Sequence, residues 1–169
     1  MTIAEILTFI GFVFANIFLE TTVVVNINLF GILPDTIVAA TVAIALVKGG
    51  IKGTVYGASC GMLIDILFGS VLGLHTIAYM LIGFFASRFS REYYADNLVF
   101  PALAAFVSYF IKELIIAVSL IIQNVSFSKS SLFLRFLLPA AVLTALLTVP
   151  MYYFYRQHNR HELRRMKYR

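Results

Sequence analysis

Charge is what this sequence has least of. Only 12% of its 169 residues are Asp, Glu, Lys or Arg, and 61% are hydrophobic. A soluble domain carries about 25% charged and 45–50% apolar residues. With a mean hydropathy of +0.93, the deficit excludes an ordinary soluble domain and identifies an integral membrane protein. No stretch between the apolar runs is long enough for a separate soluble unit. Tryptophan is absent, so nine Tyr and sixteen Phe must supply any interfacial aromatic belt. Cysteine occurs once, at Cys60 inside an apolar run. One thiol cannot build a disulfide or metal framework, and Cys60 reads as a small packing residue.

The motifs of intramembrane chemistry are missing as well. There is no HExxH, and the one His-Glu pair, His161-Glu162, lies in a basic tail. Ser70 has no GxSxG-like context, and Asp65 is the one deep aspartate where an aspartyl protease needs two. No P-loop or Gly-rich dinucleotide motif occurs, so no cofactor is expected. Met1–Leu19 lacks a basic start and a small-residue cleavage site, and the first apolar run is expected to stay as a helix.

What is present is a series of apolar runs near the 20 residues that cross a bilayer. Expected spans are Ile3–Leu19, Thr36–Val47, Gly53–Phe68, Leu74–Phe85, Leu98–Ile122 and Leu132–Tyr155. Val23–Leu33, with Asn26, Asn28 and Gly31, reads as a loop or re-entrant piece. Pro34 opens the second span well and Asp35 suits the positive end of its dipole. That span is short, so it is either shallow or begins before Pro34. Pro139 and Pro150 should kink the sixth span. The fold class is therefore all-α, a polytopic membrane bundle of about six helices over residues 1–155, followed by a basic tail over 156–169.

Orientation follows from short-loop Lys and Arg. With six spans, Lys48, Lys52, Arg88, Arg91 and the tail residues Arg156, Arg160, Arg164, Arg165, Lys167 and Arg169 share one side. Lys129 and Arg135 lie on the other. Both termini are expected in the cytoplasm, with the tail on anionic lipid headgroups. A nucleic-acid partner is not expected, because basic cytoplasmic ends are general among membrane proteins.

The organising stretch is GTVYGASCGMLIDILFGSVLGL, Gly53 to Leu74. Gly53, Gly57, Gly61 and Asp65 recur every four residues and share a helix face. Glycines in register let another backbone approach closely, the small-xxx-small pattern of membrane helix packing. An ideal helix drifts about 40° per four-residue step, so Gly69 and Gly73 leave that face and read as a tight turn. A charge near mid-membrane costs about 2.5–3.5 kcal/mol, so Asp65 must meet a partner. It either caps or bonds a neighbouring backbone or makes a direct functional contact, and Lys112 is its expected interhelical ion-pair partner, read first as a structural pair. Lys112 and Glu113 point about 100° apart on a helix and are not expected to face each other.

Glu20-Thr21-Thr22, Pro34-Asp35, Lys48-Gly49-Gly50 and Gly57-x3-Gly61-x3-Asp65-x3-Gly69-x3-Gly73-Leu74 arrive in this order. Together with the size, the span count and Glu113 in the fifth span, they resemble the rod-shape-determining MreD family over about Leu7 to Tyr155. Glu20 stands where that family more often shows an uncharged amide. The resemblance implies a non-enzymatic inner-membrane scaffold of the cell-elongation complex. Implied partners are an MreC-like bitopic scaffold, a penicillin-binding transpeptidase, a RodA-type glycosyltransferase and an MreB-type filament. It also implies a fold similar to energy-coupling-factor S-components. The alternative class is a substrate-binding subunit of such a transporter. That reading wants an Ala-rich docking face, and the first span offers only Ala4 and Ala15. A third reading is an intramembrane enzyme or ion pathway through Asp65, Lys112 and Glu113.

Overall fold

The computed structural model describes residues 3–24, 32–49, 51–69, 72–89, 99–123 and 130–167. Six α-helices make up these residues, with no β-strand among them: α1 Ile3–Phe18, α2 Thr36–Lys48, α3 Ile51–Phe68, α4 Leu74–Arg88, α5 Val99–Ile122 and α6 Ser130–Lys167. Leu19–Val24 prolongs α1 as a π-helical turn, and Thr21 Oγ1 donates to the Ile17 carbonyl at 2.8 Å within it. Most of Val23–Leu33, expected as a loop or re-entrant piece, lies outside the described residues.

The second helix is the axis of the bundle. Every residue from Thr36 to Leu46 is buried, and α2 touches each of the other five helices. The sequence dictates this. TIVAATVAIAL has no charge and is apolar or small on every face, the pattern of a helix surrounded by protein. At about 1.5 Å per residue, its 13 residues cover about 20 Å of a hydrocarbon layer about 30 Å thick. It begins at Thr36 and not before Pro34, and its N-terminal residues Asp35 and Thr36 are buried within the bundle.

Among the described residues, three helical stretches are long and apolar enough to cross a bilayer: Ile51–Phe68, Val99–Ile122 and Phe136–Gln157. Ile10–Thr22 and Thr36–Lys48 are apolar but shorter. The outer shell is apolar, with Phe14, Ile66, Phe84, Leu114 and Leu146 each more than half exposed. Such a shell suits lipid rather than water. The last helix runs without a break through Pro139 and Pro150, and past Tyr155 to Lys167.

The tightest pairing is between α3 and α4. A Cβ on Gly57 would collide with the Tyr79 carbonyl, and one on Gly61 would lie 2.6 Å from the His75 carbonyl. At Gly53 it would meet the Ala45 side chain of α2 and Ser87. The face answers from α4 through Gly83, whose added Cβ would strike the Gly53 carbonyl. Backbone-to-backbone contact of this kind is open only to glycine.

Candidate functional site

Two polar centres lie within this apolar bundle. The first closes the α3–α4 hairpin. Asp65 continues the glycine face by one turn and meets the N-terminus of α4 end-on. Its carboxylate accepts from the backbone N–H groups of Gly73 (3.0 Å), His75 (3.1 Å) and Thr76 (2.9 Å). The Thr76 hydroxyl donates to it at 2.6 Å, and His75 Nδ1 lies 2.9 Å away. These first N–H groups of a helix have no partner within it, and an anion at this end also meets the positive pole of the dipole. Gly73 holds a left-handed φ of 96° that sets the entry to the helix. The Gly69 N–H bonds back to the Asp65 carbonyl at 3.1 Å. Leu74 is the first residue of α4.

The second centre surrounds the buried start of α2. Asp35 is its N-cap: Oδ1 accepts from the Val38 N–H at 2.8 Å. Oδ2 accepts from the Tyr79 hydroxyl at 2.9 Å and from Lys112 Nζ at 3.0 Å. The Asp35 N–H donates to Thr144 Oγ1 at 3.0 Å. Glu20, on the π-turn, caps the same end from α1: its Oε2 accepts from the Thr36 N–H at 2.7 Å and the Thr36 hydroxyl at 2.5 Å. Lys112 also reaches Glu113 Oε1 at 2.7 Å, and its ammonium lies 5.0 Å from the Tyr109 ring centroid. The junction thus draws on α1, α2, α4, α5 and α6.

This geometry corrects two expectations. Lys112 does not pair with Asp65; its carboxylates are Asp35 and Glu113. Asp65 is already saturated by the turn next to it, whereas the cap of α2 sits at the depth of Lys112. Lys112 and Glu113 do meet, because two long flexible side chains span the angle that separates their Cα–Cβ bonds. Of the two readings of Asp65, the bond to a neighbouring backbone is the one observed.

Several participants carry no strong sequence signal. Tyr79 and Thr144 look like ordinary members of apolar helices. Gly83 repeats no motif, although it is the reply to Gly53. Asn16, buried on α1, donates to the Tyr155 hydroxyl at 3.3 Å and ties α1 to α6. Pro34 immediately precedes the cap residue, where its fixed φ helps hold the chain in an extended entry.

A family model described as rod shape-determining protein MreD matches residues 1–158. The chain belongs to the MreD family. Comparison with curated proteins and with solved structures gave no match. As an MreD-family chain it takes part in rod shape determination and is a bacterial membrane protein. The matched region contains both polar centres and the whole glycine face. MreD is a shape-determination family rather than a known enzyme family. In this chain Asp65 and Asp35, the two most heavily bonded carboxylates among the described residues, are engaged in holding helix ends.

Proposed function

We propose that this chain is a non-enzymatic scaffold subunit of the cell-elongation complex, coordinating lateral peptidoglycan synthesis. The observation that carries the reading is the use of its deep ionisable groups. Asp65, Asp35, Glu20 and Lys112 each serve a helix end or one another, which builds a fixed bundle rather than a reactive centre. The partners are those the family resemblance implies: an MreC-like bitopic scaffold, a penicillin-binding transpeptidase, a RodA-type glycosyltransferase and an MreB-type filament. A bundle that exposes little outside the bilayer must meet membrane partners through helix faces. Both termini lie in the cytoplasm in this reading, with the basic end of α6 on anionic headgroups.

The test is depletion of the chain in its native host, with fluorescent labelling of new cell wall. The scaffold reading expects loss of lateral incorporation and rounding of the cells, both restored by the wild-type chain. Unchanged wall labelling with a defect in uptake of a small nutrient would overturn it in favour of a transporter subunit.

A further inference from the structure

The first two helices carry no signal that fixes their own place in the membrane. No Lys or Arg precedes Lys48, so the positive-inside rule gives α1 and α2 no orientation of their own. Both are also short. Ile10–Thr22 and Thr36–Lys48 fall below the length that crosses a bilayer, whereas α3, α5 and α6 each contain a stretch that reaches it. The fourth helix is short as well, but the glycine face ties it to α3. In addition, α2 is rich in Ala and Thr, which favour lipid less than Leu, Ile, Phe or Val.

What holds these two helices comes from later in the chain. Asp35 bonds Tyr79, Lys112 and Thr144, which follow it by 44, 77 and 109 residues. Asn16 bonds Tyr155, 139 residues on, and the Phe12 carbonyl accepts from the Tyr56 hydroxyl at 3.3 Å. Every residue from Thr36 to Leu46 is enclosed by protein, and the most extensive packing of α2 is against α6. Asp35 is a charge that lipid alone cannot neutralise; Lys112 supplies the cation, 3.0 Å away. The later helices have contacts of their own. The α3–α4 hairpin closes through Gly57, Gly61, Gly83 and Asp65, and α5 packs on both α4 and α6. Residues 25–33, between the π-turn and Pro34, include no charged side chain, so the tip of an α1–α2 hairpin takes no charge across the bilayer.

We propose that α1 and α2 enter the bundle together and last, as a hairpin that inserts from the cytoplasmic side once α3 to α6 have packed. The Lys112 ammonium and the Tyr79 and Thr144 hydroxyls form a seat that Asp35 completes on arrival. Orientation and depth of the hairpin are then set by this seat rather than by flanking charge. The side of entry rests on the topology with both termini in the cytoplasm; the order of assembly makes no use of the scaffold reading.

The experiment is a pulse-chase of the full chain in its native host. One form keeps Cys60 as the single thiol; the other carries Cys60→Ala with Ala40→Cys. Neither position has exposed surface in the folded chain. Inside-out vesicles taken at intervals after the pulse are treated with a membrane-impermeant maleimide. Position 40, on α2, should react at the earliest times and become protected during the chase. Cys60, on α3, should be protected from the start. Lys112→Met removes the cation of the seat and should slow protection of position 40 about tenfold, the effect of one lost charge-assisted hydrogen bond, while Cys60 stays protected. If that variant is degraded, the comparison of the two positions in the Lys112 chain decides alone. Protection of position 40 at every time, as for Cys60, would mean that α2 inserts as it is made and would overturn the proposal. Early reactivity at both positions would also overturn it, because the whole bundle would then be late. Wall labelling on depletion is independent of these outcomes, so failure here leaves the scaffold reading standing.

Discussion

Asp35 takes hydrogen bonds from Val38, Tyr79 and Lys112 while its own N–H donates to Thr144. Removing its carboxylate uncaps α2 and leaves the Lys112 ammonium with Glu113 in place of two carboxylates. Loss of one partner of a buried ion pair costs about 3–5 kcal/mol, so Asp35→Ala should lower the unfolding midpoint in detergent sharply. Asp35→Asn retains a capping oxygen and should lose less. A midpoint within error of wild type for Asp35→Ala would contradict the assignment. The same logic separates Lys112 from Asp65. Lys112→Met should be much less damaging in an Asp35→Asn background than alone, whereas its cost should simply add to that of Asp65→Asn. Non-additivity marks groups in contact, and coupling to Asp65 instead would overturn the pairing described here. Asp65→Ala should lose folded protein and shape function together, because its contacts hold a turn. Retained protein with lost function, compared by membrane immunoblot and cell shape, would point to a partner contact instead.

At the scale of elements, the α3–α4 hairpin depends on the absence of side chains. Gly57→Leu or Gly61→Leu drives a side chain into the backbone of α4 and should remove most folded chain from the membrane. Gly11, on α1, has nothing within 4 Å of an added Cβ, and Gly11→Ala should be neutral or gain up to about 1 kcal/mol in helix propensity. Equal damage at Gly57 and Gly11, measured as thermal midpoints, would dismiss close backbone contact as the cause. This hairpin was largely legible in the sequence. A four-residue glycine period fixes a helix face without knowledge of the partner, and the drift of an ideal helix marks Gly69 and Gly73 as a turn. The α2 junction was not legible in the same way. Pro34-Asp35 announces a helix start, but which cation reaches Asp35 depends on how far along α5 the bundle places it. That depth comes from the shortness of α2 and from packing against five helices. No local spacing encodes it.

For the molecule as a whole, five of the described helices pack around a sixth whose buried stretch, Thr36–Leu46, carries no charge, and polar groups serve to fix their order. Cys60, with no exposed surface, should resist maleimide in native membranes and react only on unfolding. Labelling at the rate of an exposed thiol would mean that the bundle opens. The central claim is that this bundle works by holding other membrane proteins. Its most direct test is affinity purification of the tagged chain from native membranes in mild detergent, with mass spectrometry of what accompanies it. The account predicts a bitopic scaffold together with a cell-wall transpeptidase and glycosyltransferase. ATPase subunits with a membrane coupling protein, in place of the wall synthases, would contradict it.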